Sequence, residues 1–194
     1  MNLFIFKKVE LTNFNEFVQF WSEQYSYVHE AKYTNNIDKQ EHSEITLEQI
    51  FEWKNGMILS KPKKVSFNKK ILPNIDFINK WKASNYFDLS EFNEVFKDVS
   101  AVWKILLLHI IKPNEYPVYD QNVHRAYNYL HSIDFKNVNF VTMSKRKKEQ
   151  FYFKTYVKFI HINKGEMTLK KVDEALFSFG KFLKNRLKIT LNNN

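Results

Sequence analysis

Cysteine is absent from this 194-residue chain, and glycine and proline are scarce, at three and four. Without cysteine there is no disulfide, no thiolate zinc site, no iron–sulfur cluster and no cysteine nucleophile. So few turn residues argue against an all-β chain, which needs many tight turns. No apolar run reaches the length of a membrane span. The opening run, Met1 to Lys8, is too short for a signal peptide and lacks a cleavage site. A soluble, cytoplasmic protein that does not enter membranes is expected. The histidines show no metal-binding spacing such as His-Glu-x-x-His, so neither a metal nor a cofactor is expected. No repeat period is visible.

What is present is apolar and basic. Apolar residues make up 44% of the chain and aromatic residues 17%, ample for a folded core. Lys and Arg number 30 against 21 Asp and Glu, a net charge of +9. Such an excess favours polyanions, nucleic acid first and an anionic membrane second. The abundance of Asn, Lys, Ile and Phe also fits an A·T-rich coding bias, which raises Lys without functional meaning.

The periodicity along the chain is helical. Leu3 to Val9 reads as a short strand or an arm. Thr12 or Asn13 caps a helix with Phe14, Phe17, Val18, Trp21, Tyr25 and Val28 on one stripe. Residues 32–43 are polar and read as a loop. Ser43 or Thr46 caps the next helix, which Asn55-Gly56 closes. A cationic stretch over 57–72 is interrupted by Pro62. Pro73 begins a short helix through Trp81, and Asp88 or Ser90 caps another through Phe96. Val99 to Ile111 is apolar on nearly every side, the mark of a central buried helix. Further helices are expected from Asp120 to His131, from Ser144 through Phe159, and from Thr168 through Leu183, with a frayed tail at Asn192–Asn194. The expectation is a single all-α domain over 1–194 with about seven to nine helices, as one globule or as two lobes around a cleft near Asp120.

The segment from Tyr116 to Arg125 is the most informative. The central helix runs up to a tight turn, Lys112-Pro113-Asn114-Glu115, and Pro117 then sets the backbone before Asp120. Asp is among the preferred N-cap residues, so capping is the plain role for Asp120. A carboxylate at a helix mouth can also stabilise an oxocarbenium-like sugar or deprotonate an attacking water. The two roles are compatible. Tyr119, Gln121, Asn122 and His124 are near enough in sequence to serve a departing base.

This run resembles the helix-hairpin-helix DNA glycosylase superfamily, in which relatives of endonuclease III share Val-Asp-Thr-His-Val-x-Arg-Val. Asp120, Val123 and Arg125 of Tyr119-Asp120-Gln121-Asn122-Val123-His124-Arg125-Ala126 fall on that pattern. The likeness covers residues about 88 to 130. The family's hairpin, Leu-Pro-Gly-Val-Gly, aligns with Phe96-Lys97-Asp98-Val99-Ser100. Val99 matches it there, and Asp98 and Ser100 replace the glycines. The lysine of bifunctional members aligns with Val102; Lys104 lies about 200° further round the helix. The resemblance therefore implies a two-lobed glycosylase-like fold and a monofunctional, water-using enzyme with Asp120 as its catalytic residue.

A glycosylase must flip a base from duplex DNA and hold it against aromatic groups. Trp53, Tyr119 and Trp81 are the candidates. Arg125, on the exposed side of its helix, Lys104, on a solvated or DNA-facing edge, and the cluster Lys145, Arg146 and Lys147 are candidates for the DNA backbone. The cluster sits in a helix's first turn, where cations oppose the macrodipole, and phosphate contact would explain that placement. A monomer is expected. With both hairpin glycines replaced, a specialised role such as defence against phage with modified DNA also fits. The alternatives are a non-catalytic DNA-binding protein on the same scaffold and a helical protein-interaction module.

Overall fold

The computed structural model describes residues 11–136, 140 and 142–191, with side chains as far as residue 185. The expected N-terminal strand or arm and the tail lie outside them. Every element among the described residues is helical, and none is long and apolar enough to cross a membrane.

Four helices come first along the described residues, between Phe14 and Lys70. Helix α1 (Phe14–Glu23) is capped by the Asn13 side chain, which accepts from the Glu16 amide at 3.0 Å. It stops before Tyr25, and Val28, expected on its buried stripe, is exposed. The loop expected over 32–43 is corrected: α2 (Glu30–Thr34) runs into it, and Tyr33, Asn36, Ile37 and His42 are buried. These polar groups enter the core by pairing with distant residues. Tyr33 bonds His109 at 2.7 Å, and Asn36 donates to Gln49 at 2.7 Å. Helix α3 (Glu44–Asn55) has the expected Ser43 cap, reinforced by Thr46. It ends at Gly56, whose φ of 76° is left-handed and costs glycine little. Pro62 does not interrupt the cationic stretch. It lies in the first turn of α4 (Lys61–Lys70), where a missing N–H is harmless.

Helices α5 (Ile75–Ala83) and α6 (Leu89–Val95) lead to α7 (Ala101–Ile111), in which all residues but Val102 and Trp103 are buried. Helix α7 packs against α3, α5 and α9 (Lys145–Phe151), so it is the central rod that its apolar sequence predicts. Helix α8 (Gln121–Leu130) follows the turn. The expected long helix after Ser144 is α9, a π-helical turn over Tyr152–Tyr156, and α10 (Val157–Asn163). The final helix, α11 (Leu169–Leu191), lies along both α8 and α1. The buried apolar residues form one connected cluster from Phe17 to Leu183.

A close backbone approach governs where the last helix sits. A Cβ on Gly180 of α11 would lie 2.0 Å from the Asn122 carbonyl oxygen, in the first turn of α8. Only glycine fits there. Asp173 is seven residues earlier on α11, two turns along the same face. The contact at Gly180 therefore holds Asp173 against the mouth of α8. Gly180→Ala separates two effects of opposite sign. Helix propensity alone would raise stability by up to about 1 kcal/mol. The backbone clash should instead lower it by about 1–3 kcal/mol, seen as a reduced melting temperature in circular dichroism.

Candidate active site and basic groove

The turn that delivers Asp120 is pinned at three successive carbonyls. His161 of α10 donates to Glu115 at 2.7 Å, His109 of α7 to Tyr116 at 2.7 Å, and Tyr152 of the π-turn to Pro117 at 2.8 Å. Burial pushes the His109 pKa down to about 4, so its ring is neutral at pH 7. Its Nδ1–H goes to the Tyr116 carbonyl, which leaves Nε2 to accept from the Tyr33 hydroxyl.

Asp120 itself caps α8. Its Oδ1 accepts from the Asn122 and Val123 amides at 2.8 and 3.0 Å. Its Oδ2 faces outward from the cap and meets the Lys54 ammonium at 3.3 Å. The capping role expected from sequence is therefore real, and it leaves one carboxylate oxygen for other work.

Asp120 and Lys54 both line a narrow cavity of about 30 Å³. Its charged and polar wall is Asp120, Lys54 and Asp173, and its aromatic wall is Tyr25, Tyr27, Trp53 and Phe177. Tyr25, Tyr27 and Phe177 are half-exposed, and each tyrosine meets Phe177 edge-on at 5.8 Å between ring centres. Beneath them Lys170 pairs with Glu30 at 2.7 Å and sits 4.6 Å from the Tyr25 ring centre and 4.8 Å from that of Tyr33. Glu30 in turn accepts from Trp53 Nε1 at 3.0 Å. The aromatic wall is thus fixed by buried charge as well as by ring packing.

Asp173 is the least expected member. It is 6% exposed, and its Oδ1 is buried without a hydrogen-bond partner. Burial raises its pKa from 3.8 to about 7, with the negative charges of Asp120 and Glu174 adding to the rise against Lys54 and Lys170.

Several residues singled out from sequence are placed otherwise. Tyr119 is fully buried, bonded through its hydroxyl to His124 Nδ1 at 2.7 Å, so no base can stack on it. His124 is buried rather than at the surface, and burial and the neighbouring Arg125 push its pKa down to about 4. Arg125 is buried too, not on an exposed face, and its guanidinium donates to Asn122 Oδ1 at 3.2 Å. Trp53 is 4% exposed and serves as cavity wall, not as an open platform, and Trp81 is core. Lys104 is buried against Glu149 at 3.5 Å, which removes it from any DNA-facing edge. Gln121 and Asn122 remain half-buried in the first turn of α8.

Arg146 and Lys147 are exposed, and Lys145 is partly so. Lys145 joins Lys63, Lys70 and Lys97 around an open groove of about 580 Å³. Ser100, at the start of α7, and Trp103 also lie in its wall. The segment aligned with the glycosylase hairpin, 96–100, lines this groove through Lys97, Asp98, Val99 and Ser100. Lys63 also donates to Asn55, the neighbour of Lys54, so the groove reaches the same helix end as the cavity.

The sequence reading missed Lys54, Asp173 and the trio Tyr25, Tyr27 and Phe177. One signal for Asp173 was present. It is an acid between Leu169 and Leu176 on the apolar stripe of the last helix, where a buried carboxylate demands a reason. No family model matches the chain, and no curated protein or solved structure matches it.

The raised pKa of Asp173 has a sign that can be measured. A carboxyl with a folded pKa above its unfolded value stabilises the fold fully below about pH 4, and that contribution is lost as pH rises through about 7. The displacement from 3.8 to about 7 corresponds to on the order of 4 kcal/mol. Urea unfolding of Asp173→Asn should therefore match wild type near pH 4 and be more stable than wild type at pH 8.

Proposed function

We propose that the protein is a monofunctional DNA glycosylase that hydrolyses the N-glycosidic bond of a damaged or modified base. The observation that carries this reading is the pairing of Asp120 with Lys54 on the wall of a cavity that also holds a second carboxylate, Asp173. Hydrolysis at an anomeric carbon needs an anion beside the developing oxocarbenium ion and a base for water. Asp120 Oδ2 supplies both. Lys54 orients that oxygen, and the two amides of α8 hold the other. The half-exposed trio Tyr25, Tyr27 and Phe177 gives a flipped base a surface to rest on at the cavity's rim. The lysine groove, with Trp103 within it, suits a phosphate backbone beside that rim.

A second reading rests on the cavity's size. About 30 Å³ is the space of a single water molecule and far less than a nucleobase. A scaffold that binds DNA without excising a base would have the same groove and the same narrow cavity.

The two readings part on one pair of measurements. Asn is also a good N-cap, so Asp120→Asn keeps α8 and its fold. Under the glycosylase reading the variant loses base release by about 10²–10⁴-fold in an abasic-site assay across lesion substrates, while DNA binding persists. Lys63→Ala and Lys145→Ala should do the reverse, weakening binding and flattening its salt dependence. Full base release by Asp120→Asn, or none by wild type on any substrate, would contradict the enzyme and favour the binding protein.

A further inference from the structure

The cavity between Asp120 and Asp173 has a use that the aromatic rim does not. Its volume of about 30 Å³ matches that of one water. A buried water needs two to four polar partners. Asp120 and Lys54 provide two, and the unpartnered Oδ1 of Asp173 provides a third. We propose that this cavity is a site for one water molecule, held between Asp120, Asp173 and Lys54, and that Asp173 is the residue that positions this water for attack on the sugar.

This rests on the glycosylase reading and assigns its attacking group. The water donates one hydrogen to Asp120 Oδ2 and the other to Asp173 Oδ1. In the reaction its oxygen bonds to the anomeric carbon, its proton moves to the Asp120 carboxylate, and the C–N electron pair leaves with the base. Solvent protonates the base and later takes the proton back from Asp120. Below pH 7 Asp173 keeps its proton, because burial raises its pKa to about 7, so it accepts a hydrogen bond but has no place for a second proton. The proton from water therefore has one destination. Were both carboxyls ionised, two anions would share the cavity and neither would be the defined base.

The groups facing Asp173 agree with this. Lys54 from α3 and Lys170 from its own helix draw its pKa down, while Asp120 from the α8 cap and Glu174 push it up. Its charge is felt in turn by Tyr25, by Tyr33 of α2, and by Tyr152 and Tyr156 of the π-turn. The Tyr156 hydroxyl is also buried without a partner.

The proposal makes the two aspartates behave oppositely. Asn mimics a protonated Asp, keeping an acceptor oxygen and a donor. Asp173→Asn should restore much of the base release that Asp173→Leu loses, and its rate should hold above pH 7 where wild type declines. Asp173→Leu fills the cavity and should lose about 100-fold in kcat with KM little changed. Two measurements need no activity. Oxygen-17 relaxation dispersion on the full chain should count one more long-lived water in wild type than in Asp173→Leu. Carbon-13 titration should place the Asp173 carboxyl near pH 7 and move it lower in Asp120→Asn. Equal water counts, an Asp173 that titrates near pH 4, or an inactive but folded Asp173→Asn would each overturn the proposal. A long-lived water with no base release by wild type would sink the glycosylase reading instead, and with it the attack assigned to this water.

Discussion

The approach of α11 to α8 at Gly180 is the constraint on which the candidate site depends. A helix interior normally disfavours glycine, and here the absence of a side chain lets one backbone rest on the carbonyl of Asn122. Asn122 is the residue whose amide Asp120 caps. Asp173 lies two turns earlier on the same face of α11 as Gly180. One steric contact thus sets the distance between a capping carboxylate and a buried one. The opposite wall is fixed by α3, whose left-handed end at Gly56 stops the helix just past Trp53 and Lys54. The turn before Asp120, tied down at three consecutive carbonyls, completes the frame.

The charged form of Asp173 opposes folding. Asp173 would be more stable in water, and Lys54 is withdrawn from solvent to face Asp120. A buried carboxyl with an unsatisfied oxygen is rarely kept for packing, because a leucine would fill the same place at lower cost. Paired carboxyls in unlike environments are a common way to separate the roles of acid, base and water-holder. Asp120 receives amides and an ammonium, whereas Asp173 receives mainly apolar burial. That contrast of surroundings is the physical basis for assigning them different work.

Much of the helical pattern was legible because it is local. The Ser43, Asp88 and Ser144 caps, the Gly56 stop and the all-round apolar α7 are written within a few residues each. The short α2 was not, since Tyr33 and Asn36 look like loop residues until His109 and Gln49 are brought to them. The site divides in the same way. Asp120 was legible from its proline-set turn. Tyr119, His124, Arg125 and Lys104 were misplaced because nearness in sequence says nothing about which side of a helix faces the core. Asp173 and Phe177 lie more than fifty residues from Asp120, and only the packing of α11 joins them to it.

Water as the attacking group is the central claim, and the fate of an isotope tests it most directly. A single turnover in oxygen-18 water, followed by mass spectrometry of the DNA product, should show the label at the sugar's anomeric carbon and no complex trapped by borohydride. A borohydride-trapped adduct on Lys54, or an abasic product without the label, would contradict the account.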